Sequence, residues 1–144
     1  MEFKELKIGM CEYIEKTITE LDVINFSEIS LDTNPLHLDE EYAKNTIFKG
    51  KIVHGILGAG LISGVIGTKL PGKGAIYLSQ NLKFLAPVRI GETIRAEVKV
   101  IDLDKEKRKV GLKTVINSTV IHIIASVIFY FVTKPITNLI GNID

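Results

Sequence analysis

From His54 to Leu70 the chain reads H-G-I-L-G-A-G-L-I-S-G-V-I-G-T-K-L, apolar on every side. Ile56, Leu57, Leu61, Ile62, Val65, Ile66 and Leu70 leave no wide polar face, so the run predicts a helix buried by something wrapped around it. At 1.5 Å per residue it spans about 25 Å, enough for a domain core and short of a membrane span. Five glycines interrupt it, each costing roughly 1 kcal/mol against alanine. At 100° per residue Gly60, Gly64 and Gly67 share one stripe, which would let a second backbone, such as a sheet, approach closely. Gly55 falls at the helix start, where free N–H groups and the helix dipole favour developing negative charge.

Before this helix, residues 1–18 read as an extended segment with a turn at Ile8-Gly9. Thr19 with Asp22 forms a capping-box pattern for a helix over about 20–30. Pro35 forces its predecessor out of the helical region, so Asp32 to His37 is expected as a fixed, irregular loop. Asp39 suits the cap of a short helix through Ala43, and 45–53 reads as a linker. After the helix, Pro71-Gly72-Lys73-Gly74 is a stop, and the period changes to two. Ile76, Leu78, Leu82 and Phe84 alternate with polar neighbours up to Pro87, predicting a strand. Gly91 turns the chain into a second strand, about 92–103, with Ile94, Ala96, Val98 and Val100 on one face. The charged run 104–109 is the solvated turn of a hairpin, and a third strand begins at Val110.

Between Lys113 and Lys134 there is no formal charge. By length this is a membrane-span candidate. Its Val, Ile, Thr, Phe and Tyr favour strands, however, and Asn117, Ser118, Thr119, His122 and Ser126 fit hydrocarbon poorly. Two buried strands with a turn near Asn117-Ser118-Thr119 are expected. One helix followed by antiparallel strands long enough to curl around it is an α+β architecture, and 144 residues suit one domain, 1–144.

Net charge is +1 with both signs interspersed, which speaks against a nucleic-acid groove or a polybasic membrane patch. The single Cys11 excludes an internal disulfide. The opening M-E-F-K-E-L-K lacks the apolar core of a secretory signal, so a cytoplasmic location is expected; the Asn117-Ser118-Thr119 acceptor pattern would then go unused.

Asp32 and His37 lie five residues apart in the proline-fixed loop, with the glycine-opened helix start following. A carboxylate and an imidazole on one water exchange protons with it near neutral pH, while a helix end stabilises an enolate oxygen. Such parts suit adding water to, or removing it from, a bond conjugated to a carbonyl. They also suit a plain turn, in which Asp32 caps and His37 bonds the backbone.

The stretch Asp32-Thr33-Asn34-Pro35-Leu36-His37, with Ala43 six residues on, resembles the hydratase-2 motif of the MaoC-like (R)-specific enoyl-CoA hydratases. The likeness continues through Ile52-Val53-His54-Gly55, Leu70-Pro71-Gly72-Lys73-Gly74, Phe84-Leu85-Ala86-Pro87-Val88 and Gly91-Glu92, in register over roughly 20–103. It is similar to the short members that feed polyhydroxyalkanoate synthesis. The resemblance implies a hot-dog fold, in which a curved antiparallel sheet wraps the long helix, and a homodimer or larger homo-oligomer. It implies reversible syn hydration of trans-2-enoyl-CoA to (R)-3-hydroxyacyl-CoA, with no metal and no cofactor beyond the CoA of the substrate. Carried over by residue, Asp32 and His37 activate water, Asn34 orients the loop or the water, and the Gly55 N–H meets the thioester oxygen. His54 is expected to be structural, His122 core or surface. Leu57, Leu61, Ser63 and Val65 are candidate borders of the acyl pocket. Leu31 stands where many members carry glycine, and 115–133 is more apolar than usual for the family.

Three rivals remain open at this point. A 3-hydroxyacyl-ACP dehydratase shares the motif, with Lys49, Lys51, Lys69 and Lys73 as a basic rim for the carrier. A non-catalytic acyl-CoA-binding module would not need Asp32, Asn34 and His37 together. A hot-dog thioesterase usually employs a different acidic group.

Overall fold

The structure, a computed structural model, describes residues 1–118 and the strand 125–132. After a 3₁₀ turn at Phe3–Glu5 come β1 (Cys11–Thr17), α1 (Glu20–Ser30), α2 (Pro35–Leu38), α3 (Glu40–Lys44) and α4 (Gly55–Thr68). Then follow β2 (Ile76–Ser79), β3 (Thr93–Asp104), β4 (Lys109–Ser118) and β5 (Ala125–Val132). The strands form one sheet in the order β1-β3-β4-β5-β2, every neighbouring pair antiparallel. α4 packs on β1, β3 and β4, which is the hot-dog layout.

The alternation along β3 sets the core. Ile94, Ala96, Val98 and Val100 are fully buried, and β4 adds Val110, Leu112 and Ile116 to the same face. α4 supplies Ala59, Ile62, Val65 and Ile66, a stripe at helical spacing. Gly58 faces the sheet too: a Cβ there would sit 3.7 Å from Ile94 Cδ1 and 3.8 Å from that of Ile116.

Four expectations are corrected. α4 is not enclosed on all sides, since Ile56 is 53% exposed and Gly60 and Gly67 face open space. A single sheet covers one side of a helix and leaves the apolar remainder outside. The glycine stripe therefore does not seat the sheet as a whole; Gly64 alone of the three meets it, at Ile14 of β1. β2 stops at Ser79 instead of running to Phe84, which keeps only a lone bridge. Asn117 and Ser118 are not a turn but the end of β4, paired with Arg95 and Ile94 of β3. Thr119 and His122 lie outside the described residues.

Other expectations hold: the Ile8-Gly9 turn, β3, the hairpin turn after Asp104, and β4 and β5 as strands in the uncharged stretch. Among the described residues no helix is long and apolar enough to cross a membrane.

Candidate active site

The segment between α1 and α4 builds the site. α1 begins with the full capping box, Thr19 accepting from Asp22 N while Asp22 accepts from Thr19 N. It ends at Leu31 in the left-handed region, φ 61°. A side chain in that conformation costs roughly 1–2 kcal/mol, the physical reason a glycine suits this position better. Asp32 follows directly and is exposed, and its Oδ1 accepts from Asn34 N at 3.3 Å.

Asn34 Oδ1 in turn accepts from Leu36 N at 3.0 Å and caps α2, whose first residue is Pro35. Proline needs no N–H partner at that position. The expected irregular loop is thus corrected to a loop of three residues and a helical turn, and His37 lies on the turn. Asp39 caps α3 through Tyr42 N, as its sequence position suggested.

His37 is 9% exposed, and its Nδ1 lies 2.8 Å from the carbonyl of Ile52. A carbonyl only accepts, so Nδ1 carries a proton, and in the neutral ring the lone pair is then on Nε2. His54, 3% exposed, places Nε2 at 3.0 Å from the Asp32 carbonyl, which assigns it the opposite tautomer. Its Nδ1 is buried with no hydrogen-bond partner among the described residues. The two imidazoles stack, centroids 3.8 Å apart and planes 31° off parallel, with Phe26 beyond His54 at 5.0 Å. Burial lowers the His54 pKa; the hydrogen bond to the Asp32 carbonyl opposes that shift, and the neighbouring His37 adds to it.

Asp32, His37 and His54 each bring a donor atom within 4.8 Å of the others. Such a trio is a metal-site pattern. One nitrogen of each ring, His37 Nδ1 and His54 Nε2, is already engaged by a backbone carbonyl. The two histidines line a cavity of about 360 Å³, the size of a small-molecule site. His37, His54 and Gly55 line it together with Ile52, Gly58, Phe84, Pro87, Val88 and Ile116.

Gly55 opens α4. His54, the N-cap, offers no side-chain cap, and no acidic residue stands in the first turn. The uncapped N–H groups and the dipole are left for a ligand. Any Cβ on Gly55 would come 2.7 Å from the Phe84 ring, so glycine is what lets that ring lie over the helix start.

Asp32, Asn34, His37 and Gly55 are therefore brought into one region. Leu57, Leu61, Ser63 and Val65 do not line this cavity; Val65 is fully buried in the core, and Ser63 bonds the Tyr77 hydroxyl, whose pKa burial raises. The 84–88 segment was not foreseen as a wall. Its one local signal is Pro87; the lapse of pairing with β5 after Ser79, which frees the segment to lie over the start of α4, is not local. The four lysines of the supposed rim do not form one. Lys49 and Lys51 line one surface pocket, where Lys51 pairs with Glu20, whereas Lys69, the C-cap of α4, lies about 20 Å from Gly55 along the helix and donates to the Tyr13 carbonyl.

Comparison with known proteins accords with this geometry. Over 112 residues the chain is 52% identical to an (R)-specific enoyl-CoA hydratase of Rhodospirillum rubrum, covering 78% of each. A mitochondrial 3-hydroxyacyl-[acyl-carrier-protein] dehydratase of Solanum lycopersicum is 42% identical over 104 residues, 72% of this chain and 62% of that one. The solved (R)-hydratase of A. caviae involved in PHA biosynthesis superimposes with a TM-score of 0.88 at 37% identity, over 91% of this chain and 99% of that one. The model of the MaoC like domain matches residues 9–121. With that match over most of its length, the chain belongs to the MaoC-like family.

Proposed function

We propose that this protein is a hydro-lyase, an (R)-specific enoyl-CoA hydratase that adds water reversibly and syn to trans-2-enoyl-CoA, giving (R)-3-hydroxyacyl-CoA. The observation that carries the reading is that the His37 imidazole and the uncapped start of α4 line one cavity, with a carboxylate oxygen of Asp32 within 4.8 Å of a ring nitrogen of His37 and of His54.

The thioester carbonyl oxygen sits at the Gly55 N–H, and a water lies between Asp32 and His37. His37 Nε2 takes a proton from that water as its oxygen bonds the β-carbon. The π electrons move toward the thioester, and the oxygen gains negative charge beside the helix start. Asp32, entering the cycle as the carboxylic acid, delivers its proton to the α-carbon on the same face and becomes the carboxylate; the proton held by His37 then passes to Asp32, which resets both groups. Asn34 holds the loop through its cap on α2. No metal or redox group takes part. The enzyme acts as a homodimer in the cytoplasm, a second copy covering apolar surface that one sheet leaves open on α4.

Following the absorbance of the conjugated thioester with crotonyl-CoA tests this, with chiral analysis of the product. Loss of absorbance and an (R) product are expected. A second reading, dehydration of 3-hydroxyacyl groups on an acyl carrier protein, is favoured by the similarity to the tomato dehydratase. Turnover of the carrier-protein thioester with none of the CoA thioester would select it. Binding of acyl-CoA without turnover on either carrier would leave only a binding module.

A further inference from the structure

We propose that His37 and His54 form a reciprocal latch, in which each imidazole donates to a carbonyl just upstream of the other, making His54 a positioning residue for the Asp32 carboxylate. His37, on α2, reaches forward to Ile52 O, two residues before His54. His54, at the start of α4, reaches back to Asp32 O, five residues before His37. The two bonds cross where the rings stack at 3.8 Å. They tie the Asp32 loop, α2 and the open end of α4 into one unit, although 22 residues separate the ends of the longer tie.

Three features speak for a built arrangement. His54 is almost fully enclosed, yet its second nitrogen bonds no described residue. A merely space-filling position would be served as well by an apolar ring, without a polar atom left over. His54 also supplies no cap to the helix it begins, so its one polar contact is spent on the loop that carries Asp32. Finally, both acceptors are backbone carbonyls, which fix the tautomer of each ring without relying on a titratable partner. Neutral His54 stacked on His37 puts no second positive charge beside the base. Its enclosure favours that neutral form, with His37 and Asp32 the titratable groups facing it.

The latch acts on placement, since the carbonyl of Asp32 is held while its carboxylate remains exposed to solvent and substrate. Catalytic distances tolerate little slack: a displacement of about 1 Å costs as much as 10²-fold in rate. This kinetic part rests on the hydratase reading; the hydrogen-bond pattern does not.

Two experiments test the latch. In ¹⁵N-histidine spectra of the wild-type protein, His54 is expected as the neutral Nε2–H tautomer and His37, when neutral, as Nδ1–H. His54 in the Nδ1–H form, or charged at neutral pH, would overturn the proposal. This arm needs no turnover, so it stands even if crotonyl-CoA is not hydrated. In the kinetic arm, His54→Phe keeps the ring and removes the donor, whereas His54→Gln keeps a donor at the position of Nε2. His54→Phe is expected to lower kcat by about 10–100-fold with little change in KM, and His54→Gln to recover most of it. Equal losses in both variants, or a loss confined to KM, would assign His54 to packing and refute the latch.

Discussion

α1 and α4 begin in opposite ways. At α1, Thr19 and Asp22 satisfy one another's backbone N–H groups, Lys16 adds an ion pair, and Asp22 is held below the usual carboxylate pKa chiefly by the Thr19 N–H. α2 and α3 likewise receive side-chain caps, from Asn34 and Asp39. α4, the longest of the four, receives none, and its first residue has no side chain at all. Its far end is closed in the ordinary way, by backbone bonds from Lys69, Leu70 and Gly72 to carbonyls of its last turns. A helix start left open beside a cavity, when three others in the same chain are closed, marks where the fold leaves hydrogen-bonding capacity to a ligand. The capped starts satisfy their own N–H groups, and the uncapped one is where the proposed reaction places its charge.

The contrast separates variants that stop the reaction from those that only loosen the fold. The largest effect is expected at Asp32 and His37, the pair proposed to bind the water. Asp32→Asn keeps an acceptor for Asn34 N, and His37→Asn keeps a donor for the Ile52 carbonyl, so both should fold. Each should lose about 10²–10⁴-fold in kcat on crotonyl-CoA, with a melting temperature close to wild type by calorimetry.

Next in size are two changes at the ends of α1 that should alter stability and spare turnover. Thr19→Ala removes the cap and should destabilise by about 1 kcal/mol in denaturant titration. Leu31→Gly relieves the left-handed side chain and should stabilise by about 1 kcal/mol. Should Thr19→Ala abolish turnover without unfolding the protein, the division between capped and uncapped starts would be wrong.

The smallest effect concerns pH. The His54 pKa is lowered from 6.5 in the fold, so as pH falls through 6.5 the unfolded chain takes up a proton that the folded one refuses. That contribution to stability shrinks as pH falls from 6.5 toward the folded pKa, and it is constant above 6.5. Melting temperature measured from pH 7.5 down to 5.5 should therefore fall less steeply in His54→Gln than in wild type. Parallel slopes would mean that His54 is not held neutral by the fold.

Much of this is legible in the sequence, because local rules fix it. Thr19 with Asp22, Asp39, the period of two along β3 and the Asp32-to-His37 spacing each depend on residues close in sequence. What was not legible depends on residues far apart. Nothing within His54–Leu70 tells how much of α4 a five-stranded sheet can cover, so its half-exposed state is decided by topology. The Pro35 rule placed a break correctly but missed the helical turn that proline itself starts. The cavity wall at 84–88 arises from lost pairing with β5, and the bond from His54 to Asp32 spans a loop, two helices and a linker. Leu31 was visible as a departure from the family; the backbone angle gives it a reason.

The charge of the proposed reaction falls on the Gly55 N–H, and one pair of variants isolates that group. Gly55 is the first helical residue, where proline is well tolerated, and His54 already holds φ −57° and ψ 125°, as a residue before proline requires. Gly55→Pro thus deletes the N–H while keeping the helix, and Gly55→Ala serves as the control, since both place a Cβ against Phe84. With crotonyl-CoA, kcat for Gly55→Pro is predicted to fall about 10²–10³-fold below that of Gly55→Ala. Equal values in two folded variants would show that the open end of α4 does not bear the charge of the reaction.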